Sequence, residues 1–184
     1  MLDNKNTSKY LNDFAKYVIQ QSRSNLTKGN KKNQGNLYNS LDKQIEVGAN
    51  SFRLAFLMED YGMFVDQGVK GADPSQVSKN AKITGQQAPN SPYKFGNKRP
   101  PSKFLEQWAK QKNFRLRDKK GKFAKGDFKT IGIILAKNIW ARGLKPSLFF
   151  TKPFEKAFER LPDELVQAYG LDVEKFLQYT LNKK

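Results

Sequence analysis

Two hydrophobic periods follow one another near the start of the chain, and together they constrain the fold more tightly than any other feature. From Tyr10 to Leu26, Leu11, Phe14, Ala15, Val18 and Ile19 recur at helical spacing, with Asn12, Lys16, Gln20 and Arg23 mostly opposite. An amphipathic helix of this kind must bury its apolar stripe against another element. Thr7 or Ser8 is placed to cap it through a side-chain oxygen. Further on, Phe52, Leu54, Phe56 and Met58 alternate with Ser51, Arg53 and Ala55, the period of a half-buried strand. Ile45 and Val47 alternate before them, and Gly48, Ala49 and Asn50 offer a tight turn between the two runs. The expectation is a β-hairpin with one aromatic face, on which the first helix sits.

The segment Tyr61 to Gly71, YGMFVDQGVKG, is short, aromatic and bounded by glycines, which allow positive φ. A polar stretch with three prolines then runs from Ala72 to Arg99. A loop of that length in a small domain is functional or disordered, and its poverty in apolar area predicts that it orders mainly on assembly. Pro100, Pro101 and Ser102 open a helix with Phe104, Leu105, Trp108 and Ala109 on its buried side. FRLRDKKGKFAKGD reads as a basic hairpin or extended loop turning at Lys120 and Gly121. Asp127 is placed to cap a further helix in which Ile131, Ile134, Leu135, Asn138 and Ile139 share a face, ending at Gly143 with Pro146 behind it. Short helical pieces are expected at Pro153–Leu161, Pro162–Tyr169 and Leu171–Leu181. The predicted class is therefore α+β: an antiparallel sheet of about four strands packed by two main helices, with a C-terminal helical extension. The expected domain spans 1–161, including the long loop 72–99, and the extension spans 162–184.

Composition narrows the chemistry. The 184 residues include no Cys and no His, which excludes thiol nucleophiles, disulfides, histidine triads and nearly all zinc sites. Glu59–Asp60 and Asp163–Glu164 are the only adjacent acid pairs, and neighbours in sequence do not face each other on a helix. No phosphate-binding glycine loop or dinucleotide fingerprint is present. The chain is therefore expected not to be an enzyme and to carry no cofactor or metal. No apolar run approaches the roughly 18 residues of a membrane span, and the polar start MLDNKNTSKY does not read as a signal peptide. A soluble chain made in a cytoplasm, with no membrane partner, is the expectation.

Charge points to a partner. Lys and Arg number 34 against 17 Asp and Glu, a net of +17. Between Lys94 and Lys129 thirteen Lys or Arg face only Glu106, Asp118 and Asp127, a local net of +10. Tyr93, Phe95, Phe104, Trp108, Phe114 and Phe123 are interleaved. Bases and phosphates of nucleic acid would suit that mixture, and so would an acidic protein surface. Arg115, Arg117, Lys119, Lys120, Lys122 and Lys125 are the candidates for a docking or DNA-facing tip. Phe149, Phe150 and Phe154, beside Pro146 and Pro153, are hard to bury on one small sheet, which favours a subunit interface.

The order of these elements resembles the small head–tail joining and tail-completion (neck) proteins of tailed bacteriophages. That family typically shows Tyr-x-x-Phe/Tyr-Val-Glu/Asp-x-Gly, matched here by Tyr61, Phe64, Val65, Asp66 and Gly68. A Trp-bearing helix follows, with Trp108, then an Arg-Gly-x-x-Pro turn at Arg142, Gly143 and Pro146. Phe149, Phe150, Pro153 and Phe154 stand for the Phe-x-x-Pro-Phe close. The resemblance covers roughly residues 8 to 160. It implies a structural virion protein, assembled in the host cytoplasm, whose copies form a ring joining the portal or adaptor of the head to the tail. Implied partners are further copies of the chain, portal, adaptor and tail proteins, and double-stranded DNA in the lumen. Tyr61, Phe64, Asp66, Phe149, Phe150, Pro153 and Phe154 become the implied ring or partner interface. A tail terminator within the same class, and a basic nucleic-acid-binding protein of replication or packaging, are the alternatives.

Overall fold

The computed structural model describes residues 4–29, 31, 35–48, 51–77, 83–117, 120–123 and 126–182. They form an α+β chain dominated by helix, divided into two compact units. One comprises residues 1–62 and 148–184, the other residues 63–147. The boundaries fall between Gly62 and Met63, inside the aromatic motif, and between Ser147 and Leu148.

In the first unit, α1 (Lys5–Lys28) buries Leu11, Phe14, Ala15, Val18, Ile19 and Leu26, the stripe its periodicity predicts. A short α2 (Asn36–Ser40), which no periodicity announces, leads into β1 (Asp42–Val47) and β2 (Phe52–Leu57). The strands pair antiparallel from Asp42 opposite Leu57 to Val47 opposite Phe52. The Gly48 N–H donates to the Ser51 carbonyl at 2.8 Å, while Ala49 and Asn50 lie outside the described residues. On the hairpin's inward face Phe56 meets Phe14 of α1, ring centroids 6.4 Å apart. The helix is seated on the hairpin as expected.

The chain's C-terminal part completes this unit. α6 (Thr151–Phe158) is followed by α7 (Leu161–Leu181), a single helix where two pieces are expected. Gly170 does not break α7, because one glycine costs only about 1 kcal/mol in a helix interior. α7 packs along α1, and its buried Asp172 carboxylate does the work expected of Thr7 or Ser8. Oδ1 accepts from the Asn6 backbone N–H at 3.0 Å and from Asn6 Nδ2 at 2.8 Å. Oδ2 accepts from the Thr7 backbone N–H at 2.9 Å and from Thr7 Oγ1 at 2.8 Å. Helix α1 thus starts earlier than predicted, at Lys5, and Thr7 sits inside its first turn as a donor. The unpaired amides of a helix start are here capped by a residue 165 positions away. Burial pushes the Asp172 carboxyl up, but its four donors outweigh burial and hold it below the usual carboxylate range. Nearer the start of α7, Glu164 accepts from the Tyr10 hydroxyl. Burial first, then that bond and the Glu164 charge, push the Tyr10 phenol up to about 12.

In the second unit, α3 (Gly62–Gln67) begins at the boundary and leads to β3 (Val69–Lys70). α4 (Ser102–Gln111) and α5 (Phe128–Arg142) pack on each other, and β4 (Gly143–Leu144) pairs antiparallel with β3. Gly132 is what lets the helices approach: a Cβ there would lie 2.7 Å from the Ser102 carbonyl oxygen. Asp127 caps α5 as predicted, its Oδ1 accepting from the Thr130 N–H at 2.7 Å. That backbone bond is the main cause that lowers its carboxyl pKa. The buried face of α5 is shifted from the one expected: Ile131, Gly132, Ala136 and Ala141 are inside, and Ile134 is exposed.

A single sheet of about four strands is not what these residues form. Among the described residues four strands pair two by two, and β3 and β4 hold two residues each.

Asp172→Ala is expected to destabilise the first unit by on the order of 3 kcal/mol, because it strands helix-start donors away from water. The linkage sign follows from the lowered carboxyl. Stabilisation is complete above the unfolded pKa of about 3.9 and is lost as pH falls through the folded value. In urea unfolding, the gap between the native chain and Asp172→Asn should be largest near neutrality and shrink below about pH 4. An unchanged gap at low pH would contradict the carboxylate cap.

Candidate interaction sites

The second unit brings two of the quoted motifs into contact. The Ser147 N–H donates to the Val65 and Asp66 carbonyls at 3.1 and 3.0 Å, and Ser147 Oγ to Val65 O at 2.6 Å. VDQGVKG and RGLKPS lie so close that side chains are excluded between them. A Cβ on Gly68 would lie 2.4 Å from the Leu144 oxygen, on Gly71 2.0 Å from the Ala141 oxygen, and on Gly143 2.1 Å from the Val69 oxygen. Gly143 also holds φ +91° with ψ −174°, a conformation essentially restricted to glycine. It is the glycine stop predicted for α5.

The stretch after Gly71 closes this junction. α5 ends with carbonyls that no helical turn can satisfy, and distant amides take them. Ala72 N–H donates to Trp140 O at 2.8 Å, Asp73 N–H to Ala141 O at 3.2 Å, and Gln87 N–H to Arg142 O at 2.8 Å. The Gln86 side chain pairs with both backbone groups of Gly71, at 2.6 and 3.3 Å. Ser91 Oγ donates to Gly68 O at 2.8 Å, and Lys70 forms a parallel bridge with Lys94. Trp140 Nε1 donates to Gly96 O at 2.7 Å. Residues 83–99, part of the loop expected to order mainly on assembly, are bonded within the unit at Gln86, Gln87, Ser91, Lys94 and Gly96. Polar side chains and backbone amides supply what the missing apolar area does not.

The aromatic candidates separate. Phe64 is exposed and meets Tyr93 edge-on, with centroids 4.7 Å apart, whereas Asp66 is fully buried. Tyr61, in the first unit, is exposed, and partial burial and the charge of Glu59 raise its phenol. Phe149 is 1% exposed and Pro153 is buried. Asp66, Phe149 and Pro153 therefore act within the fold rather than on its surface, which corrects the surface role expected of them. The hairpin is not their only cover, since α1 also receives the close. Phe56 meets Phe150 at 5.2 Å and Phe154 at 5.9 Å, and Phe14 meets Phe154 at 6.2 Å. Phe150, Phe154 and Phe158 stack in a column along α6, at 5.8 and 5.5 Å. Their spacing of four was a readable helical signal, and Phe158 is the member that grouping by proximity misses.

The basic stretch projects a tip from between α4 and α5. Arg117 and Phe123 form an antiparallel bridge, Gly121 takes φ +78°, and Arg117 Nη1 donates to Gly121 O at 2.8 Å. The Arg117 and Arg115 guanidinium carbons lie 4.4 and 5.7 Å from the centroid of the Phe123 ring, which is 63% exposed. Lys120 and Lys122 are exposed on the same tip, while Lys119 and Lys125 lie outside the described residues. Phe104, expected on the buried side of α4, is 70% exposed. Ala109 takes the inner position, and Trp108 packs on Phe114 at 4.9 Å. The arrangement presents cations held by an aromatic ring, fit for phosphates or carboxylates. Among the described residues no group of three or more Asp or Glu is placed to hold a metal, and no helix is long and apolar enough to cross a membrane.

No family model, no curated protein and no solved structure matches the chain.

Gly143→Ala should lower stability by about 3 kcal/mol, a fall in Tm of roughly 6 °C or more, because both its φ and its neighbour forbid a Cβ. Gly96→Ala is the control, since a Cβ there meets nothing within 4 Å and its φ is not positive. Equal Tm values for the two variants would contradict the close-packed junction.

Proposed function

We propose that this chain is a structural protein of the tailed-phage neck, whose copies form a ring joining the portal or adaptor of the head to the tail. The observation that carries this reading is the meeting of the two family-like motifs. Val65, Asp66 and Gly68 lie against Gly143, Leu144 and Ser147, so residues that resemble one family's pattern also form one packed junction. A chance assortment of turns gives no reason for Tyr-x-x-Phe-Val-Asp-x-Gly and Arg-Gly-x-x-Pro to depend on each other's glycines. Exposed Tyr61 and Phe64 are the parts of the first motif left for a neighbour. The role needs no catalytic group, cofactor or metal. The protein would reside in the virion, and the same ring could equally cap the tail as a terminator. Mass spectrometry of purified particles tests the reading. The chain should be present, and particles made without it should be unjoined heads and tails. Its absence from joined particles would overturn the proposal.

One observation favours a second reading, nucleic-acid binding in replication or packaging: Arg115 and Arg117 over an exposed Phe123. Docking to protein remains our choice for the tip, because Phe123 with Phe114, the latter packed on Trp108, offers little stacking for a strand. Lys119→Glu/Lys120→Glu/Lys122→Glu separates the two. We expect weak DNA binding by the native protein at physiological salt and a block in head–tail joining by the variant. If the tip instead neutralises about six phosphates, log affinity should fall against log salt with a slope near −5. Normal joining with DNA binding lost would promote the second reading.

A further inference from the structure

α7 is apolar on two sides, and α1 covers only one. Ala168 and Asp172 face inward, buried. Val166, Tyr169, Val173, Phe176 and Thr180 recur at alternating steps of three and four, which places them on one stripe rotated away from that side. Val166 is 71% exposed on this stripe, and Leu177 beside it is 53% exposed. Tyr169 borders the hairpin, its ring 5.9 Å from that of Phe52. Isolated exposed apolar residues need no explanation, but a continuous helical seam marks an interaction surface.

Charge says what covers it. α7 holds Asp163, Glu164, Asp172 and Glu174 against Lys175, a net of −3 in a chain whose total is +17. Asp163 and Glu174 are exposed beside the stripe. Pairing α7 with α7 through a twofold axis would set the exposed Asp163 and Glu174 of one copy against the same two acids of the other. The opposite character, basic with exposed aromatics, belongs to α4 and the tip of the second unit, with Lys103, Phe104, Arg115 and Phe123. One chain therefore carries two different surfaces that complement each other in sign and share apolar content. Two unlike complementary surfaces make a heterologous contact, which propagates from copy to copy and closes into a ring when the rotation allows. A helix of 21 residues offers an outward face about 31 Å long to such a contact.

We propose that α7 of one copy docks through this stripe onto α4 and the basic tip of a second copy, head to tail. The proposal rests on the ring reading above and names its interface.

The test uses full-length protein, sedimentation velocity and two variants. Val166→Glu/Leu177→Glu disables the α7 surface, and Phe104→Asp/Phe123→Asp disables the acceptor. All four residues are exposed, and circular dichroism checks that each variant is folded. The native chain should associate, and less so as salt rises. Each variant alone should shift to monomer, and a mixture should form a one-to-one heterodimer, because each retains the surface the other lacks. A native chain that stays monomeric at high concentration would overturn the proposal, as would oligomers that survive the α7 substitutions or a mixture that remains monomeric. Self-association by the acceptor variant alone would replace it with twofold α7 pairing. Particle composition reads the neck role separately. Rings that persist in both variants defeat this interface and leave that role standing, whereas complementation by a chain absent from joined particles does the reverse.

Discussion

A buried carboxylate holds the first unit together. Asp172 sits almost without solvent between α7 and the start of α1, and it is tolerable there because four donors surround it. Two of those donors are amides that a helix start leaves unpaired, so the acid and the helix each remove a cost from the other. The contact also fixes register. α7 cannot slide along α1 by a turn without stranding both partners, which a purely apolar seam would permit. The positions of the Phe column on α6 and of α7's outward stripe follow from that registration.

The second unit solves a related problem at the other end of a helix. α5 stops at a glycine whose backbone no other residue adopts readily, and its last carbonyls are taken by Ala72, Asp73 and Gln87. The close approach of backbones at Gly68, Gly71 and Gly143 replaces side-chain packing with hydrogen bonding. Two-residue strands persist there because β3 bonds on both sides, to β4 and to the segment at Lys94. In both units, groups orphaned at a helix end are satisfied by residues far away in sequence. Local propensity alone completes neither helix.

The distribution of charge connects these folds to association. Positive charge concentrates between Lys94 and Lys129, a net of +10, and α7 runs against the trend. The guanidinium groups of Arg115 and Arg117 are held over Phe123, which restrains their side chains before any partner arrives. Cations ordered in advance lose less entropy on docking than free surface lysines. That favours a specific contact over a diffuse electrostatic one.

Local sequence signals by themselves determined where α1, the hairpin, α4 and α5 lie. The stripe of α1, the alternation of β2, the Ser102 start of α4, the Asp127 cap and the Gly143 stop are local properties, set by side-chain spacing and backbone sterics within a few residues. Tertiary structure decided what each surface residue faces. Phe149 and Phe104 are both phenylalanines beside prolines or in basic surroundings, yet one is buried and the other bare, because only packing partners distinguish them. β3 and β4 are too short to show a period, and the polar 83–99 segment is ordered by bonds to backbone groups that the sequence does not mark. By sequence alone Asp172 is one more acid in an amphipathic segment. Its role exists only because α7 brings it to α1, a contact between residues 165 apart that no local pattern encodes.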